Sequence, residues 1–140
     1  MSFNQIYDIA ASGMSAQRLR VQLIAANVAN SETTRTAGGG PYRKKEVTFQ
    51  VQPMGQTSDG MPLTGVGVGQ VLNSRDPFVA KYDPNHPDAD AEGIVQYPNV
   101  NPVEEMVNLT EASRSYEANV AVIRAVRTMA LSTVDLLRVT

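Results

Sequence analysis

The last third of the chain carries the clearest alternation of apolar and polar positions. Between Pro102 and Leu137 there is no glycine and no second proline. Apolar residues recur there at alternating steps of three and four, with Ser113 and Arg127 in the same series: Met106, Leu109, Tyr116, Val120, Ile123, Ala130, Val134 and Leu137. A heptad-like seam of this length predicts one long helix packed lengthwise on another helix. About 35 residues span roughly 50 Å as a helix, so we expect it to contact partners beyond its own chain.

The start of this helix is marked by residues suited to helix N-termini. Asn101 can accept hydrogen bonds as the N-cap, and Pro102 fits the first helical position. Glu104 completes a capping-box pattern, and with Glu105 it places negative charge at the positive end of the helix dipole.

The first thirty residues predict a second long helix, opening at Ser2 with a capping-box partner at Gln5 and ending near Asn30. It has two apolar stripes, the first formed by Ile6, Ala10, Gly13, Gln17, Val21, Ile24 and Val28, the second by Ile9, Ala16, Leu19, Leu23 and Ala26. One partner helix can cover only one stripe, so the surplus indicates packing against other subunits. The alternative is that the middle of the chain folds back over the second stripe.

The middle of the chain reads as short strands joined by turns. Residues 41–53 alternate, with Val47, Phe49 and Val51 on one face, and turn signals follow over residues 52–60. A second strand is predicted around residues 66–71, a third at 78–82 and a short last one at 94–97, after an acidic loop at 83–93. The predicted fold is α+β: two long terminal helices packed as a coiled-coil-like pair, with a small antiparallel β insert between them. The corresponding segments are residues 1–35, 36–100 and 101–140.

Composition narrows the range of functions. The net charge is −2 with scattered basic residues, which gives no electrostatic footprint for nucleic acid or for an anionic membrane. There are no cysteines, so disulfides and thiolate metal sites are excluded. The first residues lack the basic region and unbroken apolar core of a cleaved secretory signal, and no apolar run is long enough to span a membrane.

No group of residues predicts catalysis or a cofactor. His86, the only histidine, lies in the acidic loop and is expected to be solvated, as is Asp88. The same loop lacks the glycine and the final glutamate of an EF-hand, so no metal site is predicted. Glycines 65, 67 and 69 do not complete a dinucleotide-binding pattern. Glu111, Arg114 and Glu117 are spaced to form surface ion pairs along the last helix.

Two sequence signatures resemble those of the bacterial flagellar axial proteins. Residues 105–108 (EMVN) and 111–123 (EASRSYEANVAVI) are similar to the C-terminal signature of this family, and residues 10–33 (AASGMSAQRLRVQLIAANVANSET) to the N-terminal one. The segments PYRKKEVTFQ (41–50) and YDPNHPDADAEGIVQYPNVN (82–101) resemble the proximal-rod subunits in particular. The glycine-rich link at 38–41 departs from the Gly-Tyr-Lys segment of many relatives.

The resemblance implies a structural, non-enzymatic subunit of the proximal rod in the flagellar basal body, without a cofactor. It implies export through the flagellar type III apparatus without signal cleavage, and assembly in the periplasm into the shaft that transmits torque to the hook. The implied partners are other copies of the chain, proximal and distal rod proteins and an adaptor near the export gate, with neither nucleic acid nor lipid. An export-associated binding module and an enzyme are the alternatives.

The residues expected to pack between subunits come from both helical signatures. They are Ile6, Gly13, Gln17, Leu23, Ile24, Asn27, Asn30, Met106, Arg114, Tyr116, Glu117, Asn119, Ile123, Val134 and Leu137.

Overall fold

The computed structural model describes residues 3–57 and 59–138, with side chains through Leu136. The elements are α1 (Phe3–Ala29), β1 (Lys45–Gln56), β2 (Pro62–Asn73), β3 (Val79–Tyr82), β4 (Ile94–Tyr97) and α2 (Pro102–Arg138). The strands form two antiparallel pairs, β1 with β2 and β3 with β4. The predicted α+β class, with two long terminal helices around a small antiparallel β region, is confirmed. Ser2, the predicted start of the first helix, lies outside the described residues.

Each helix has a capping hydrogen bond at one terminus, α2 at its start and α1 at its end. The backbone N–H of Val103 donates to Asn101 Oδ1 at 3.1 Å, which confirms Asn101 as the N-cap of α2. At the other helix, Asn30 Nδ2 donates to the Ala26 carbonyl at 2.8 Å and satisfies an acceptor of the last turn of α1.

The two helices run antiparallel and contact each other through small side chains. Asn27 near the end of α1 meets Glu105 at the start of α2, and Gly13 meets Asn119 further along. A Cβ added to Gly13 would lie 3.0 Å from Asn119 Nδ2, so glycine permits this close approach. In this register the last turns of α2, from about residue 130 onward, extend past Phe3, the first described residue of α1.

The β1–β2 hairpin is longer than predicted. Pro53 and Gly55 were expected in a turn, but both lie in β1, where the strand register shifts between them. Proline has no N–H for the sheet and is tolerated at such an irregularity. The chain reverses instead around Gly60, which has a φ of 77°, and the N–H of Thr57 donates to the Met61 carbonyl at 2.8 Å.

The hairpin folds back onto α1. The backbone N–H of Val66 donates to Ser12 Oγ at 3.0 Å, while the Ser12 hydroxyl donates to the Ile9 carbonyl at 2.6 Å. Gly65 faces the same serine so closely that a Cβ there would lie 2.7 Å from Ser12 Oγ. The β insert therefore covers part of the second apolar stripe of α1, and the prediction that other subunits must cover that stripe is wrong for this stretch.

The acidic loop between β3 and β4 is tied to the chain that follows α1. Thr34 Oγ1 donates to Asp88 Oδ2 at 2.8 Å, and Arg35 Nη1 lies 3.4 Å from Asp88 Oδ1. His86 is half-buried, and its Nδ1 accepts the N–H of Asp88 at 3.1 Å. The expectation that Asp88 is a solvated surface residue is therefore wrong, because its side chain is only 24% exposed, whereas His86 remains partly exposed in the loop.

Candidate subunit interface

A buried polar junction joins the two helices to the β insert. The Asn27 side chain, 1% exposed, has Nδ2 donating to the Lys45 carbonyl at 2.9 Å and to Glu105 Oε2 at 3.1 Å. Its Oδ1 accepts the N–H of Lys45 and the hydroxyl of Tyr42, both at 2.9 Å. Two donors and two acceptor positions are the full bonding capacity of an asparagine amide. One side chain of α1 thus fixes the start of β1 and the start of α2.

The junction also contains a buried ion pair. Glu105 is 1% exposed, and its Oε1 lies 2.9 Å from Nζ of Lys44. A buried carboxylate is costly unless it is paired and hydrogen-bonded, and Lys44 and Asn27 supply both kinds of partner. Glu105 therefore does more than complement the helix dipole, since it links α2 to both other parts of the fold.

Two side chains of the junction, Lys44 and Tyr42, have raised pKa values. Burial lowers the pKa of the Lys44 amine, but the hydrogen bond to Glu105 and the nearby carboxylates outweigh burial, and the pKa is raised above its ordinary value of 10.5. Burial, assisted by the negative charge of Glu105, raises the pKa of the Tyr42 hydroxyl above 10.0. In both cases the folded protein holds the proton more tightly than the unfolded chain does.

Stability is therefore expected to fall in alkali. The contribution of Lys44 is fully present below its unfolded pKa, about 10.4, and is lost as the pH rises through the higher folded value. Tyr42 acts in the same direction above about pH 10. Thermal unfolding followed by circular dichroism should show a Tm that decreases from about pH 10 upward. Lys44→Gln should reduce the slope of this decrease, and the exposed Lys81→Gln should leave the slope unchanged; equal slopes in all three proteins would contradict this account.

A second apolar line runs along the exposed flank of α2, beside the face that contacts α1. All its members are exposed, and we call them the outer stripe. Steps of four, three and four lead along it from the first to the fourth member, and a step of seven leads to the last: Ala118, Val122, Ala125, Met129 and Leu136. Val122 and Met129 are seven residues apart and so share one helix face. The predicted seam did not include this line. The spacing of apolar residues from Ala118 to Met129 could have indicated it, but two of the four are alanines, which are only weakly hydrophobic.

Most predicted packing residues lie at least partly inside the helix pair and the junction. The buried or half-buried ones are Ile6, Gly13, Gln17, Leu23, Ile24, Asn27, Asn30, Tyr116, Asn119 and Ile123. The exposed ones are Met106, Arg114, Glu117 and Val134. The side chain of Leu137 lies outside the described residues.

Two of the predicted residues, Tyr116 and Glu117, line an open groove between the helices. This groove, about 320 Å³ in volume, is bounded by Arg18 and Val21 of α1 and by Ser113, Tyr116 and Glu117 of α2. This part of the predicted seam is therefore open to solvent in the isolated subunit.

The predicted ion pairs within α2 do not form. Glu111 lies 3.9 Å from Arg20 of α1 instead. Across residues 3–57 and 59–138, neither Arg114 nor Glu117 makes an ion pair.

No three potential ligand side chains come together as a metal site within the described part of the chain. Neither described helix has both the length and the apolar character to cross a membrane.

Comparison with known proteins gives two family matches and a set of full-length relatives. Residues 8–35 match the family described as flagella basal body rod protein, and residues 91–136 match the C-terminal family of the flagellar basal body rod FlgEFG proteins. Asn27 lies in the first segment and Glu105 in the second, so the junction joins the two matched regions.

The relatives include proteins named flagellar basal-body rod protein FlgC from several bacteria. The protein of Escherichia coli O157:H7 is 43% identical over 97% of this chain and 98% of its own length. That of Borreliella burgdorferi is 39% identical over 94% of this chain and 95% of its own. The Bacillus subtilis protein is 37% identical, covering 92% of this chain and 94% of its own.

Proposed function

The chain belongs to the family of the flagellar basal-body rod protein FlgC and is a structural rod subunit of the basal body, and from this premise we propose that it builds the proximal rod by packing its terminal helices against neighbouring subunits. In this role it forms part of the shaft that transmits torque from the motor to the hook.

The observation that carries the proposal is the apolar surface that α2 leaves uncovered. The outer stripe is exposed on the flank of α2 that α1 leaves uncovered, and Val134 is exposed on the turns that extend past Phe3. Exposed apolar positions that form a continuous line mark an interaction surface, whereas scattered ones do not. The regular spacing of this line suits another helix as the partner.

The junction supports the torque-transmitting role. Because Asn27 and the Lys44–Glu105 pair connect both helices to the β insert, rotation of the helix pair would carry the insert with it. Close packing of small side chains between α1 and α2 gives little room for relative sliding.

Neighbours in the rod are proposed to be other copies of this chain, other proximal and distal rod proteins and the adaptor near the export gate. We further propose that the flagellar type III apparatus exports the chain without signal cleavage and that it assembles in the periplasm. We propose no enzymatic activity, since the relatives are named as rod proteins.

The position of the chain along the rod of purified basal bodies tests the proposed function. An epitope placed in the exposed turn between β1 and β2 should be recovered with isolated hook–basal bodies. Gold-labelled antibody should mark the end of the rod nearer the inner membrane. Label at the hook-proximal end, or absence of the chain from basal bodies that support motility, would contradict the proposed position.

A further inference from the structure

A basic groove lies between the glycine-rich link and the base of the hairpin. It has a volume of about 430 Å³, and among the described residues that line it only Arg43 and Lys45 are charged. The Arg43 guanidinium stacks 4.4 Å from the centre of the Phe78 ring, and its Nη1 donates to the Ser74 carbonyl at 3.3 Å. This cation is held in place before any partner arrives, which lowers the entropy lost on binding.

An acidic turn lies across the link from this groove. Asp90 Oδ1 accepts the backbone N–H of Glu92 at 2.9 Å and that of Ile94 at 2.8 Å, and Gly93 closes the turn with a φ of 76°. Asp90 and Glu92 are both exposed. We call residues 90–92 the acidic tip. It presents carboxylates on a backbone fixed by hydrogen bonds.

The groove and the acidic tip lie on either side of Gly40 and Pro41, which we call the ridge. Gly40 and Pro41 line the basic groove, and they also line the neighbouring cleft that contains Asp88 and Asp90. On the side of the acidic tip, Arg35 is paired with Asp88, which leaves the carboxylates of Asp90 and Glu92 exposed. Two neighbouring surfaces of the same subunit therefore carry opposite charge.

We propose that the acidic tip of one copy seats in the basic groove of the next copy. Such a contact is heterologous, because each copy gives one surface and receives the other, so it joins successive copies into a ring or a helical assembly. Opposite charges at these positions would fix the register between neighbours and disfavour wrong alignments. The inference rests on the proposed function, since it names one contact between copies within the rod.

A second copy fits the groove better than an extended polyanion does. The groove offers two cations only, and in the neighbouring cleft the one cation, Arg35, is already paired with Asp88, so a long anionic chain would meet the carboxylate of Asp90 there. The chain as a whole has a net charge of −2. The two exposed carboxylates of the acidic tip, those of Asp90 and Glu92, match the number of cations in the groove.

Disulfide cross-linking in assembled basal bodies tests the contact. Because the chain has no native cysteine, only the introduced cysteines of this chain can form a disulfide between copies. A variant carrying both Lys45→Cys and Glu92→Cys should give, on mild oxidation, a ladder of dimers and larger species on a non-reducing gel. The two single variants are the matched controls and should give no ladder. Basal bodies that contain the double variant but yield only monomer would overturn the proposal.

Charge exchange provides the second measurement if the cysteine variants fail to assemble. Lys45→Glu alone and Glu92→Lys alone should each reduce the number of hook-bearing basal bodies about tenfold through like-charge repulsion, and combining them should restore assembly. Losses that simply add in the combined variant, or an effect of Lys45→Glu without one of Glu92→Lys, would show that the groove binds something other than the acidic tip. The proposed function is tested separately, by the presence of the unmodified chain in the rod.

Discussion

A chain carrying Val122→Glu and Met129→Glu should fold normally and yet be missing from basal bodies. The two side chains are 44% and 52% exposed in the isolated subunit, so water can solvate the new carboxylates there. Surface changes of this kind usually alter the free energy of unfolding by about 0.5 kcal/mol or less. If a neighbouring helix covers the outer stripe, each carboxylate would be buried without a partner, at a cost of several kcal/mol.

The measurement combines urea unfolding of the purified variant with quantitation of the chain in isolated basal bodies. Ser15→Glu is the matched control, since Ser15 is an exposed residue of α1. The control should assemble and support motility, whereas the double variant should be exported, remain stable and leave cells without hooks. Normal hooks in cells with only the double variant would show that the outer stripe is not an assembly surface.

The largest loss of stability is expected for Asn27→Leu. The substitution removes all four hydrogen bonds of the amide and leaves the Tyr42 hydroxyl, the Glu105 carboxylate and the backbone of Lys45 short of partners in a buried site. An unsatisfied buried polar group costs about 1–3 kcal/mol, and more if it is charged. We expect the free energy of unfolding to fall by roughly 4 kcal/mol, a large part of the stability of a small domain.

Asn30→Ala is the control for this prediction, because Asn30 belongs to the same motif but bonds mainly within its own helix end. Its side chain makes two local hydrogen bonds, donating to the Ala26 carbonyl and accepting from the Thr33 hydroxyl. The substitution should cost about 1–2 kcal/mol, well below the loss expected for Asn27→Leu. Chemical unfolding of both variants decides the matter. Similar losses for the two asparagines would mean that the junction does not hold the helices and the insert together.

The regular elements could be predicted because their signals are local. The seam of α2, its cap at Asn101 and the short strand at 94–97 all follow from spacing and from residue type. The end of α1 was expected near Asn30 and occurs at Ala29, since the capping residue is itself the signal.

The contacts between segments could not be predicted in the same way. Glu105 looks like Glu104 in the sequence, yet only Glu105 is buried, because the antiparallel register places it against Asn27. The hairpin is held on α1 by a hydrogen bond from the backbone N–H of Val66 to the hydroxyl of Ser12. A single bond of this kind produces no periodic pattern in the sequence. Asp88 was read as solvated because its partners, Thr34 and Arg35, are more than fifty residues away.

A density map of the isolated basal body, at a resolution that separates α-helices, tests the central claim most directly. The account predicts α1 and α2 as an antiparallel pair in the proximal rod, with Val122 and Met129 covered by a helix of a neighbouring subunit. A map in which this chain occupies the rod but the outer stripe faces solvent would contradict assembly through the helix faces.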